Sequence, residues 1–473
     1  MRLHAARPGG AVHSRMLATR LLRPSIWAPV AAGAYGLVVL IALLRWAGLP
    51  RVESTLFVLG AASVVGTLVG LAVLGWFLFL KPVRGGVTLS APILSVHGRR
   101  TLALLLAISG LLIVVGGYWD EVWHRQFGLP FGEDFFWRPH LLMYAGLAAV
   151  MSVAAGAAAI LWRRGRGGPR ARFRSNPTLG WMVLLGAFLA YALPADPAWH
   201  ALYGADITAW SLPHLVLLVT FSAIMLTAAA VHLSTLPERP WHGPLAFRLD
   251  ASLAIVGIAS ALLLATQLLT MEWDGITRLR LGSPHPFWQR PEWLLPVVVV
   301  ALAAFFGTLA LRATRYVGAA TLVGVVALGV RAALVGGFDS PGMSVNAWLL
   351  ALPPLLAIDV LHGLRLAGGR EASGAIGNAA AATAGLAFGM LPLIATLYVY
   401  PRVTVDTVPL MLVMGLVSAL WASALGARLG EWFRPVAAEA VVVPRNALRG
   451  TALALTGAVV FMVWFIGTAT PPA

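Results

Sequence analysis

An all-α, polytopic transmembrane helical bundle is the fold class this sequence predicts, and three observations predict it. The chain of 473 residues is 59% hydrophobic and only 11% charged, where soluble globular chains carry about 25% charged residues. Apolar runs of about eighteen residues or more recur along its length, each long enough to cross the hydrocarbon layer as a helix. The alternating segments of about ten residues that mark a transmembrane barrel are not evident.

Taken in order, about thirteen spans can be placed: 25–48, 55–80, 99–118, 139–162, 178–194, 212–234, 248–271, 293–311, 316–337, 345–364, 376–399, 408–427 and 448–468. The eighth and ninth lie so close together that they could be one. Residues 1–24 read as a basic cytoplasmic tail and 25–98 as the first two helices. Residues 99–235 read as a duplicated helix-loop-helix module, and 236–473 as helices seven to thirteen. The first apolar run is long enough to span, so it reads as an uncleaved helix and not a signal peptide.

The net charge of +16 would suit nucleic acid, but its distribution does not. Most of the basic residues fall in alternate segments: the N-terminal tail, 81–100, 163–177, 235–248, 312–315, 365–370 and 428–449. Most acids fall in the others, among them Asp120, Glu121, Glu133, Asp134, Asp196, Asp206, Glu272, Asp274, Asp339 and Asp406. Alternation of this kind is the positive-inside pattern. It puts the N-terminus in the cytoplasm, the C-terminus outside and the arginines against anionic headgroups. The expected partner is the lipid bilayer, with no nucleic acid. Lys81 is the only lysine, and Ala and Gly abound. That bias is bacterial in style and places the chain in a bacterial inner membrane. There is no Cys, which excludes disulfides, thiolate metal sites and Cys-attached haem.

The chemistry gathers in a repeated constellation. "YWDEVWHRQFG" (118–128) supplies Asp120, Trp123 and His124, and "GEDFFWRPH" (132–140) supplies Asp134, Trp137 and His140. "ADPAWHALYG" (195–204) supplies Asp196, Trp199 and His200; Asp206, Trp210 and "SLPH" follow, ending at His214. Asp and His four apart share a face if the segment is helical. The later His then opens the next helix just after Pro139 or Pro213, and proline is well placed in a helix's first turn. Both first helices run outward, so the repeat is parallel, unlike the inverted repeats of many transporters. Each unit thus brings one carboxylate and two imidazoles toward one point near the outer surface.

One carboxylate oxygen and two imidazole nitrogens form a three-ligand set with open positions, suited to copper, zinc or iron. Asp134 and Asp206 are placed to fix the imidazole tautomers. Trp123 and Trp199 stand beside the ligands, where an aromatic belt would also put them. A bland reading is that each Asp caps a helix or pairs with its own His. "ERPWH" repeats the spacing with Glu238 and His242 but has no later Pro-His. Haem is a weaker option, because Gly204, Asp206 and Pro213 break the stretch between His200 and His214. His285 reads as part of an interfacial loop. Asp359 and His362 read as a helix-end pair or part of a proton path. Arg331 reads as snorkelling outward or pairing with Asp339.

Asp-x-x-Trp-His, an Asp-containing loop and a His opening the next helix resemble the metal motif in the C subunit of copper membrane monooxygenases, the particulate methane and ammonia monooxygenase family. The resemblance covers some twenty residues per copy. It implies that Asp120, His124 and His140 match the family's Asp-His-His ligands, and that Asp196, His200 and His214 match them again. It further implies copper as the metal and oxidation of a small apolar substrate arriving through the bilayer. The alternative expectation is a non-catalytic membrane subunit of a larger complex, or a transporter of metal ions.

The topology is checked with reporter fusions. Alkaline phosphatase should be active when fused after residue 468 and inactive when fused within 165–176; the reverse pattern would overturn the orientation.

Overall fold

The computed structural model of the chain describes residues 94–127, 136–203, 212–234, 236, 245–270, 293–338, 349–369, 373–397, 403–433 and 445–470. Over these residues it is helical, with no strand among them. The helices are α1 (Val96–Phe127), α2 (Arg138–Arg164), α3 (Pro169–Ser175), α4 (Pro177–Tyr203), α5 (Leu212–Leu233), α6 (Leu245–Thr270) and α7 (Leu294–Thr314). They continue with α8 (Ala319–Gly337), α9 (Leu352–Ala367), α10 (Ala375–Gly385), α11 (Leu391–Leu397), α12 (Val408–Trp432) and α13 (Arg445–Gly467). A π turn, Leu386–Met390, joins α10 to α11. Among the described residues nine helices are long and apolar enough to cross a membrane, and the chain is a multi-pass membrane protein. The basic tail and the first two expected spans lie outside the described residues.

Where the helices differ from the expected spans, local chemistry explains it. The eighth and ninth spans are two helices. Arg315 (φ 52) and Gly318 (φ 97) both take left-handed backbone between α7 and α8, which ends one helix and reverses the chain. In the basic segment 163–177 the short helix α3 opens on Pro169. α4 continues beyond its expected span, through Pro194, Asp196 and Pro197, to Tyr203. α1 likewise outruns its expected span and continues through Asp120 to Phe127. Its 32 residues make a rod of about 48 Å, longer than about 30 Å of hydrocarbon. One end therefore stands at or beyond the membrane surface.

The duplicated module is a ring of four helices, with α1 on α2, α2 on α4, α4 on α5 and α5 back on α1. Its core includes Leu106, Ile113, Met182, Leu185, Leu189 and Ile224. The second half builds a larger core around α7, which packs on α6, α8, α9 and α12. The two halves meet chiefly along α5 and α6. We call the end carrying Arg99, Arg100, Arg163 and Arg164 the basic end, and the end carrying Asp120 and His140 the acidic end.

In lipid, apolar side chains gain little by leaving their surroundings, so helices associate through close backbone approach at small residues. That is visible here. A Cβ on Gly146 of α2 would lie 2.6 Å from the Ser109 carbonyl of α1. One on Gly430 of α12 would lie 2.7 Å from both the Leu309 carbonyl and Arg312 Cβ of α7. Gly426, one turn earlier, faces the Phe305 carbonyl of α7 still more closely. Gly426→Ala should therefore cost about 1–3 kcal/mol through overpacking, read as a lowered midpoint in thermal unfolding in detergent. Gly457→Ala on α13, where a Cβ meets nothing within 4 Å, should not lower it.

Candidate metal centre

The repeated constellation rests on two helix pairs built alike. In the first unit α1 carries Asp120 and His124 within its last two turns, and His140 is the third residue of α2 after Pro139. In the second, α4 carries Asp196 and His200 within its last two turns, and His214 is the third residue of α5 after Pro213. The helical condition on the Asp-His spacing therefore holds in both units, with the two residues one turn apart on one face. Because the units run parallel, both sets stand at the acidic end.

In the first unit the structure brings the carboxylate and the later imidazole together. His140 Nε2 lies 2.8 Å from Asp120 Oδ1, with the two side chains 15% and 19% exposed. Asp120 thus pairs across helices with His140. This distance suits a shared proton. It also approximates the edge of a metal polyhedron, since donors bound at about 2.0–2.2 Å and at right angles sit about 3 Å apart. One carboxylate and one imidazole at this separation are two of the three donors that the motif implies. His124 lies one turn beyond Asp120 by register; its side chain, and those of Asp196, Trp199 and His200, lie outside the described residues, as do Asp134 and Asp206 entirely. Among the described side chains no group of three or more acids and imidazoles is gathered as a metal site.

Two tryptophans of the first unit do not face lipid. Trp119 and Trp123 are buried. Their rings meet edge to face at 5.1 Å, Trp123 meets Trp137 at 5.5 Å, and Trp119 stacks on Phe338 at 6.2 Å. Phe465 of α13 closes the cluster against Trp119, and the Arg138 guanidinium sits 4.8 Å from the Phe465 ring centroid. This aromatic block ties the ends of α1, α8 and α13 to the start of α2. It packs against the helix ends that carry Asp120 and His140.

Among the described residues, three further polar clusters lie inside the bundle. Arg331 does not snorkel: it is fully buried, its guanidinium 5.2 Å from the Tyr118 ring centroid and donating to Gln267 Oε1. Asp339, its other expected partner, lies outside the described residues. Asp359 and His362 turn to different neighbours. The Asp359 carboxylate accepts from the Gly318 and Thr321 backbone N–H groups at 3.0 and 2.6 Å, capping α8 where an anion is favoured. His362 Nδ1 lies 3.2 Å from Ser373 Oγ, and Arg312 donates to the Ser373 carbonyl at 3.0 Å.

The third cluster escaped the reading of single segments because its members come from three helices. Arg100 of α1 grips Asp250 of α6: Nη2 donates to Oδ1 at 2.9 Å, and Nε lies 2.9 Å from Oδ2. His232 of α5 brings Nδ1 to 3.8 Å from the same carboxylate. The available signal was the position of Asp250 itself, an acid in a basic segment at the head of an apolar run, where a charge needs a partner.

No family model, curated protein or solved structure matches the chain. The Arg100–Asp250 pair is open to direct test. Asp250→Ala leaves the Arg100 guanidinium buried without its acid and should cost about 3–5 kcal/mol. Arg100→Leu with Asp250→Leu should recover most of that loss, read by unfolding midpoints in one detergent.

Proposed function

We propose that the chain is a multi-pass membrane metalloprotein whose Asp-His-His sets bind a transition metal at the extracytoplasmic face. The observation that carries this reading is the meeting of Asp120 and His140 from different helices at 2.8 Å, which brings two of the three donors to one point. His124 completes the first set, and Asp196, His200 and His214 form the second. Copper is the metal proposed, on the resemblance to the C subunit of copper membrane monooxygenases; zinc and iron suit the same donors.

A bound copper would supply redox chemistry, with positions left open for dioxygen. The chain's own residues do the rest. Asp120 offers an anionic oxygen and His140 a neutral nitrogen, once the proton between them has left. Trp119, Trp123 and Trp137 exclude water on one side. The surrounding bilayer delivers a small apolar substrate. The basic end faces the cytoplasm in this reading, and the bundle comprises thirteen spans.

Protein purified in mild detergent should carry about one equivalent of copper or more per chain by elemental analysis. His140→Ala and Asp120→Asn should each weaken binding at the first site by about tenfold or more, as losing one of three ligands implies. Acidification should release the metal, because imidazole ligates only when unprotonated. Metal below about a tenth of an equivalent, unchanged in the variants, would falsify the reading.

A further inference from the structure

Between Asp134 and Asp196 the chain has no acidic residue, yet six arginines crowd into 163–174. Part of this run folds back on the bundle. Gly167 takes left-handed backbone (φ 81), turning the chain so that α3 folds back beside the ends of α2 and α4. Arg172 then reaches back: Nη1 donates to the Trp162 carbonyl and Nε to the Gly167 carbonyl, both at 2.8 Å. The Trp162 carbonyl is among the last four of α2, which lack partners in their own helix, so Arg172 caps it. The same guanidinium lies 4.7 Å from the Trp162 ring centroid.

This fold-back forms a half-open cleft of about 120 Å³, walled by Ala158, Leu161 and Trp162 of α2, Pro169 and Phe173 of α3 and Val183 of α4, with Arg172 also lining it. Apart from that arginine its walls are apolar. Trp162 is 72% exposed, and Ala155, Ala158 and Ala159 on the same side of α2 are exposed as well. That side faces away from the bundle, toward lipid. Arg163, Arg164 and Arg166 are exposed just beyond it. An apolar slot thus adjoins a cationic rim at the membrane surface, and no carboxylate in the segment competes for the arginines.

We propose that this cleft is a specific binding site for one anionic phospholipid, with its phosphate among the arginines and part of an acyl chain in the slot. Arginine recognises phosphate by paired N–H donors, and basic pockets between membrane helices select acidic headgroups. A soluble anion would use the rim but have no use for the slot. A zwitterionic lipid would fill the slot but carry no net charge to the rim.

The test is native mass spectrometry of the full chain, released from bilayers of phosphatidylcholine mixed with phosphatidylglycerol. The wild type should retain one phosphatidylglycerol in clear excess over that lipid's share of the bilayer. Arg163→Gln with Arg166→Gln, both exposed and harmless to packing, should reduce that retention about tenfold. Val183→Trp fills the slot, keeps every charge and should reduce it as well; an unchanged unfolding midpoint shows that this variant is folded. Retention equal to the bilayer composition in the wild type, or unchanged in the arginine pair, overturns the proposal. So does displacement of the lipid by excess inorganic phosphate, which would make the ligand a soluble anion.

Discussion

Every polar group that enters the hydrocarbon layer must find its partner inside the protein, and most of this architecture follows from that requirement. Helices satisfy the backbone. Several short hydroxyl side chains satisfy themselves on the helix that bears them: Ser109, Thr220, Thr227, Thr270 and Thr314 each donate to the carbonyl four residues back, at 2.6–2.8 Å. Full charges need a second helix. Arg100 with Asp250, Asp359 on the head of α8, and Arg331 with Gln267 and the Tyr118 ring each fasten helices distant in sequence. These contacts fix which helices are neighbours. Apolar packing alone would not, because lipid tails and leucines offer similar surroundings.

Close packing at glycine supplies the complementary constraint. The contact of α7 with α12 depends on Gly426 and Gly430 lying against carbonyls of the facing helix. Gly385 and Gly389 do the same for the proline-led start of α9, meeting Pro353 and Pro354. With these approaches α7 is the most enclosed of the spans, whereas α13 has almost all of its surface outward. The result is a dense second half beside a more open four-helix module, and the acid–imidazole pair belongs to the module.

The two ends of the bundle have opposite chemistry. The acidic end holds Asp120 against His140 in a partly exposed, partly aromatic setting. At the basic end the arginines divide their work. Arg100 is buried and holds helices together, Arg172 caps α2, and Arg163, Arg164 and Arg166 stand exposed at the surface. One residue type serves three purposes because guanidinium stays charged, offers five donors and stacks on rings.

By itself the sequence determined the class, the positions of the helices over the described residues, and the pairing of each Asp-x-x-Trp-His with a later Pro-His. These depend on local properties: apolar run length, proline in a first turn, and three-to-four-residue periodicity. Tertiary structure alone decided that Asp120 pairs with His140, that Trp119 and Trp123 turn inward, that Arg331 stays buried, and that Arg100 finds Asp250 across 150 residues. Each of these is a choice of partner between helices. In a bilayer that choice turns on backbone proximity and on which charges meet, and neither is written within a single span.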